Sequence, residues 1–364
     1  EGSLLDDENL VTTLQESKET STAVTKKLKV AEVTEKKIDE ARSGYKPISI
    51  RAAILYFILN DLARVDPMYQ FSLSAYSELF SQSIANSRSK GGGNQDIAKR
   101  IAAVNNYHTY AVYKQTCLGL FEKHKLLLSF NICTKILQSE GKLPPSEFDF
   151  FLKGALNVDR EEQKENPCSE WLLPANWDNV TVLDKLEAFQ GIASSFDQFP
   201  RDWQEWYLKE CPELEQLPGE WQNKLNEFQR MCILRSLRID RVGFAASKFV
   251  SNNMEDGAKF VEPPPFDLMA IYKSSNNLIP LVFVLSPGVD PTAQVFGLGE
   301  KLGVKCTTVA LGQGQAPNAI RQIDDGVADG NFVFLANCHL MLSWLGELEK
   351  IILDLPTRSP HANF

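Results

Sequence analysis

LVFVLSPGVDPT, residues 281–292, decides how the C-terminal part of this chain is read. An apolar, β-rich run is followed by a Gly/Pro turn and then by a hydroxyl residue, Thr292, at the mouth of an expected helix. This is the outline of a phosphate loop, in which backbone N–H groups cradle phosphates, a lysine neutralises their outer charge and a hydroxyl holds magnesium. The turn itself reads Ser286, Pro287, Gly288, Val289, Asp290, Pro291, Thr292, with no lysine. Two prolines remove N–H donors, and Asp290 places a negative charge where an anion would sit. The position suits phosphate and the chemistry does not.

Working outward, LIPLVFVLS (278–286), VKCTTVALG (304–312) and GNFVFLANC (330–338) are short β-branched or aromatic runs that predict strands. PTAQVFGLGEKLG (291–303) and APNAIRQIDDGVADG (316–330) between them predict helices. Strand, helix, strand, helix, strand is the pattern of a parallel sheet with helical crossovers. In a hydrolytic site the strand FVFLANCHL (332–340) would end in acids that hold magnesium and activate water. It ends in Asn337, Cys338 and His339, and asparagine cannot act as a general base.

Other chemistry finds little support. GLGEKLG (297–303) spaces its glycines one residue too far for a dinucleotide fingerprint, and LGQGQAP (311–317) reads as a tight turn. Cys338 and His339, adjacent on an expected strand, would point to opposite faces and could not share a metal or a catalytic proton. There are four histidines and no G-x-S-x-G motif, so hydrolase and metal chemistry are set aside. The sequence therefore assigns no catalytic residue, no cofactor-binding residue and no metal ligand. Arg230, Arg235, Arg238 and Arg241 form the densest basic cluster, for which internal ion pairing with the acidic segment upstream is favoured over contact with an acidic neighbour.

Towards the N-terminus the chain is helical. Leu10, Leu14, Val24, Leu28, Ala31 and Ile38 fit alternating steps of three and four once Ser17, Ser21 and Glu35 are accepted in the seam, which predicts a long helix with coiled-coil spacing. After Gly44 and Pro47, ISIRAAILYFILNDLARV predicts a second helix, apolar almost all round and therefore buried. DPMYQFSLSAYSELFSQSI (66–84) predicts a third, opened by Asp66 and Pro67 in the cap and first-turn positions. SRSKGGGNQ (87–95) predicts a flexible break. Residues 96–142 return to helix, ending on Gly141 with Pro144 and Pro145 beyond. The next hundred residues hold Trp171, Trp177, Trp203, Trp206 and Trp221 among short helical patterns.

The 364 residues are 43% hydrophobic and 23% charged, enough for two or three domains with real cores. No apolar stretch approaches the roughly 20 residues of a membrane span. The acidic start EGSLLDDENL lacks the layout of a secretory signal, and Glu1 in place of methionine predicts a fragment or processed piece. Seven cysteines without a C-x-x-C pair predict reduced, mostly buried thiols. Of the net charge of −9, residues 159–220 carry 15 acids against 5 bases. A surface like that repels nucleic acid and anionic membranes, so neither is an expected partner.

Nine motifs in order then resemble one family. LLDDENLVTTLQESK, EVTEKKIDEAR, DPMYQFSL, LFEKHKLLLSF, LPGEW, FVEPPPFDL, LVFVLSPGVDPT, LGQGQAPNAIRQI and NFVFLANCHL look like the dynein heavy chain, and DPMYQ and NCHL look like its axonemal (ciliary) type. The resemblance implies a mixed, predominantly α chain cut from a ring of six AAA+ modules. Residues 1–45 would be one arm of the coiled-coil strut that braces the stalk, 46–95 the small helical lid of the fifth module, 96–265 the helical entry region of the sixth, and 266–364 its α/β core, truncated.

It also implies that the sixth module holds no nucleotide, so this segment would carry no cofactor, with ATP and magnesium bound in other modules. Implied partners are the neighbouring AAA+ modules and stalk, the dynein intermediate and light chains, and microtubules only through the absent stalk tip. The implied location is the cytoplasm and cytoskeleton, in the axoneme of a cilium or flagellum. Two other readings stay open: an active P-loop NTPase with an unusual loop, and a helical adaptor that docks partners on its acidic, tryptophan-rich region. An incomplete sheet would expose an edge, so poor solubility is expected.

Overall fold

The computed structural model describes residues 8–87, 97–156, 158, 163–262 and 264–364, without the side chains of residues 8–11, 37 and 41. The expected acidic start at 1–7 and the break from 88 to 95 lie outside the described residues. The chain divides into two compact units, Glu1–Pro264 and Pro265–Phe364.

Every regular element among the described residues of the first unit is a helix. α1 (Glu8–Gly44) is the long helix that the seam predicts. Its seam residues Leu14, Val24, Leu28 and Ile38 are all exposed, so tertiary burial contributes nothing along most of its length. Only Tyr45 separates it from α2 (Lys46–Asp61), which opens with Pro47, where the missing N–H costs nothing. α2 buries Ile48, Ala52, Leu55, Ile58 and Leu59. It is not buried all round: Ile50 and Phe57 face outward, because its packing partners α4 (Ile97–Cys117) and α5 (Glu122–Ser139) cover one side.

The third helix starts later than the sequence predicts. Asp66 accepts the N–H of Met68 at 2.9 Å and so closes an Asx turn instead of capping a helix. Ser72 takes the cap, accepting the Ala75 N–H at 3.5 Å, and α3 runs Leu73–Asn86. The stretch 96–142 is likewise two helices, since α4 stops at Cys117 and the turn around Gly119 intervenes before α5. α5 ends as expected, with Gly141 at φ +70° and the Lys142 N–H on the Leu137 carbonyl.

Beyond this come α6 (Pro145–Lys153), α7 (Pro174–Leu183), α8 (Ile192–Gln198), α9 (Pro200–Leu208), α10 (Trp221–Lys224), α11 (Glu227–Leu237) and α12 (Val242–Asn253). Four tryptophans of this region, Trp177, Trp203, Trp206 and Trp221, are buried. Trp203 stacks on Phe196 with ring centres 4.4 Å apart, and its indole N–H donates to Ser195 Oγ at 3.1 Å. These rings are core and not a docking face, which removes the tryptophan part of the adaptor reading. Together the buried aromatics supply a large part of the unit's hydrophobic stabilisation.

The second unit holds α13 (Leu268–Ser274), α14 (Thr292–Leu302), β1 (Cys306–Ala310), α15 (Ala316–Asp329), β2 (Phe332–Ala336) and α16 (Leu342–Arg358). β1 and β2 pair in parallel, Cys306 opposite Phe332 through Ala310 opposite Ala336, with α15 as the crossover. α15 buries Ala319, Ile323 and Val327 at steps of four, with Gly326 beside them. A Cβ on Gly326 would lie 2.6 Å from Val333 Cγ2, so the glycine sets how closely helix and strand approach. Trp344 and Leu355 of α16 complete this core.

Residues 281–285 do not form the predicted strand. They pair with neither β1 nor β2 and make no backbone hydrogen bond among the described residues. Val282 is 81% exposed and Val284 64%. A run apolar on both faces is stable as a strand only with neighbours beside it and cover on both sides, and a two-stranded sheet supplies neither.

Candidate functional site

The loop 286–292 is built as a turn followed by a helix start. The Val289 N–H donates to the Ser286 carbonyl at 3.1 Å, with Pro287 and Gly288 between them. Gly288 has φ +83°, the conformation a type II turn requires at its third position, and proline suits its second. A side chain at Gly288 would meet open space, so the glycine is there for its backbone and not to admit a close neighbour.

Thr292 opens α14, as the sequence leads one to expect. The Asp290 carboxylate accepts the Thr292 N–H at 2.9 Å and the Thr292 hydroxyl at 2.5 Å, both through Oδ1. These two bonds, the hydroxyl one first, hold the Asp290 carboxyl below the usual carboxylate range. The donors at a helix N-terminus that would face an anion are thus turned to the chain's own carboxylate. Of the remaining loop positions, Pro287 and Pro291 have no N–H and the Val289 N–H is used by the turn. All of Ser286 to Asp290 is exposed.

The sequence signal for this arrangement was available, an Asp two residues ahead of a Thr at a helix start. Read as charge alone, Asp290 is an obstacle to phosphate; in the structure it is also the group that satisfies Thr292.

β2 ends at Ala336, and Asn337 follows in the left-handed region at φ 60°. Cys338 and His339 then lie in a 3-10 turn, Cys338–Met341, and not on a strand. The expectation that they are neighbours on a strand, pointing to opposite faces, fails, because a left-handed residue ends the extended backbone. Cys338 donates to the Leu335 carbonyl at 3.4 Å and packs against the second unit's core, where burial raises its thiol pKa. GLGEKLG is the C-terminal half of α14, closed by Gly303 at φ +68°. LGQGQAP is a turn with Gly314 at φ +78° leading into α15.

A groove of about 410 Å³ opens between α13 and α14, lined among others by Phe266, Met269, Leu298 and Lys301. Among the described residues no cluster of three or more His, Cys, Asp or Glu could hold a metal ion, and no helix is long and apolar enough to cross a membrane. No pair of the seven cysteines forms a disulfide.

Three of the four arginines of the cluster, Arg235, Arg238 and Arg241, are tied internally, each in a different way. Arg241 is bidentate to Glu213 of the acidic segment. Arg238 is bidentate to Asp240 at 2.9 and 2.8 Å and donates to the carbonyls of Tyr207 and Lys209. Arg235 donates to the Phe151 carbonyl at 2.7 Å and to Asn179. Ion pairing with the upstream acids therefore holds for Arg241; Arg238 takes that segment's carbonyls instead.

Comparison with known proteins gives one consistent answer. Residues 276–364 match the family model described as dynein heavy chain region D6 P-loop domain. The whole chain is 51% identical to dynein axonemal heavy chain 2 of Mus musculus and 52% identical to the dynein-1-beta heavy chain of the flagellar inner arm I1 complex of Chlamydomonas reinhardtii. It is 38% identical to dynein axonemal heavy chain 1 of Rattus norvegicus. In each case 100% of this chain is aligned and 8% of the relative.

Proposed function

Because the chain belongs to the dynein heavy chain family, axonemal type, along its whole length, we propose that it is a structural, force-transmitting segment of a microtubule motor whose P-loop site neither binds nor hydrolyses nucleotide. The observation that carries the proposal is the Asp290–Thr292 pair. A carboxylate seated on the helix-start donors competes with a phosphate for the same hydrogen bonds and repels its charge. Asn337 at the end of β2 supplies no base to activate water.

In this reading α1 is one arm of the strut that braces the stalk, α2 and α3 belong to the lid of the fifth AAA+ module, and the rest is the sixth module. ATP and magnesium act in other modules of the parent chain, and rigid-body motion of those modules is passed on mechanically. Partners are the neighbouring modules and stalk, with the dynein intermediate and light chains in the wider complex and microtubules reached through the stalk tip. The place of action is the cytoskeleton of the cilium or flagellum, which agrees with the axonemal and flagellar names of the relatives.

Titration of the chain with a fluorescent ATP analogue and magnesium tests the site. No saturable binding up to millimolar analogue is expected. Micromolar affinity abolished by Gly288→Val or Thr292→Ala would establish the competing reading, an active NTPase with an unusual loop, which the P-loop wording of the family model keeps in play.

A further inference from the structure

Four large apolar side chains of the first unit, Leu208, Leu214, Ile239 and Phe244, are between 59% and 71% exposed, and two arginines tie together the segments that carry them. Arg238 donates to the carbonyls of Tyr207 and Lys209, on either side of Leu208, and to the carboxylate of Asp240, next to Ile239. Arg241 grips Glu213, next to Leu214, and lies over the Phe244 ring at 4.1 Å. Both arginine side chains are more than four-fifths buried, so the backbone beneath the four apolar groups is fixed before anything docks.

The charge around them is one-sided. Lys209, Arg238 and Arg241 are already committed to Glu205, Asp240 and Glu213. Glu210 and Glu215 are exposed and take part in no ion pair among the described residues, although the charge of Glu215 is felt by Lys209. A cluster of apolar groups with a polar rim marks a protein contact more often than a random surface does. These two exposed acids disfavour an anionic membrane and favour a cationic partner.

We propose that the surface of Leu208, Leu214, Ile239 and Phe244 docks an amphipathic protein helix whose apolar face is flanked by lysines or arginines. The helix would set its apolar residues among the four side chains and its basic residues against Glu210 and Glu215. This goes beyond the motor-segment reading and does not depend on the state of the P-loop site.

The probe is a labelled 18-residue helical peptide with leucines along one face and lysines on both flanks, added to the full 364-residue chain and followed by fluorescence anisotropy. Micromolar binding is expected. The double variant Leu208→Ser/Ile239→Ser weakens it at least tenfold, and Glu210→Lys/Glu215→Lys does the same. An equal charge change at Glu187 and Glu220 weakens it less than threefold. All six positions are exposed, and an unchanged circular dichroism melt confirms the fold of each variant. Binding unaffected by both patch variants, equal loss in the Glu187/Glu220 control, or preferential binding of the chain to phosphatidylserine vesicles would overturn the proposal.

Discussion

Asp290 and Thr292 face each other across the start of α14, one carboxylate oxygen accepting both the N–H and the hydroxyl of the threonine. The carboxylate acts as an internal anion at the site where a phosphate loop would place a ligand. Replacing Asp290 with Ala should free both donors without creating a nucleotide site, since the lysine is still missing and the two prolines remain. Hydrogen exchange at the Thr292 amide is expected to accelerate, while calorimetry with magnesium and ATP stays flat. Because the Asp290 pKa is depressed in the folded chain, its support is present at neutral pH and fades as pH falls through the folded value, below about 3.9.

Two glycines of the second unit should respond oppositely to the same added methyl. Gly326→Ala presses on Val333 and on the Asn331 carbonyl and should cost about 1–3 kcal/mol. Gly297→Ala, inside α14 with open space around it, should gain about 0.5–1 kcal/mol by reducing unfolded-chain freedom. Urea unfolding of the two variants decides this; the same sign for both would mean that the α15–β2 approach is looser than described.

His108 links three helices. Its Nε2–H donates to the Tyr76 hydroxyl at 2.9 Å, which in turn donates to the Ala52 carbonyl, while Nδ1 lies 3.0 Å from Ser83 Oγ. Burial lowers its pKa to about 4. The unfolded histidine takes its proton near pH 6.5 and the folded one resists, so stability is full above 6.5 and falls as pH drops towards 4. At 1.36 kcal/mol per pKa unit the loss is about 3 kcal/mol. His108→Gln should abolish this acid limb in a pH series of thermal melts, at the cost of a weaker network at pH 7.

Glu147 opposes it. Its carboxyl is buried between α6 and α11, with Oε1 accepting from Gln229 at 2.8 Å and Oε2 without a partner. Burial raises its pKa, and the Gln229 bond only partly offsets that. A raised carboxyl favours the fold below the unfolded pKa and costs stability as pH rises past it. Glu147→Gln should therefore raise the melting temperature at pH 8 more than at pH 4. A uniform loss at both values would show that the carboxylate is better satisfied than the geometry indicates.

The ion pair of Arg241 with Glu213 is nearly enclosed, the Glu213 side chain being 5% exposed. Burial, the largest single influence, would raise the Glu213 pKa, and the Arg241 hydrogen bond, a backbone hydrogen bond and the charges of Arg241 and Arg238 together bring it down. Arg241→Ala should lower stability, because it leaves the Glu213 carboxylate without its partner. Glu213→Gln together with Arg241→Met should cost far less, and a double-mutant cycle measures the difference.

What the sequence reveals and what it hides follow the range of the forces involved. α1, α15, the paired strands at 306–310 and 332–336 and the stop at Gly141 rest on local periodicity and on Gly/Pro signals, which any window of the chain displays. The run 281–285 has equally strong local preference, yet a strand exists only when another strand binds it, and composition cannot name that neighbour. Asp66 and Ser72 are both good caps, and only the competing turn at Met68 decides between them. At the candidate site the missing lysine and the Asn337 substitution are plain in the sequence. That Asp290 satisfies Thr292, and that Cys338 and His339 leave the strand, depend on backbone angles no residue type fixes alone.

The junction at Tyr45 has a consequence of scale. α1 has 37 residues, about 55 Å at 1.5 Å per residue. Tyr45 keeps right-handed helical angles, its N–H donates back to the Arg42 carbonyl, and its own carbonyl accepts the Ile48 N–H, so the hydrogen-bonded path runs across the join, past Gly44 at the end of α1. A tilt of about 5° at that one residue would displace the far end of a helix about 55 Å long sideways by about 5 Å. The join therefore has the proportions of a lever, in which a small tilt of α2 would reappear enlarged at the far end of α1.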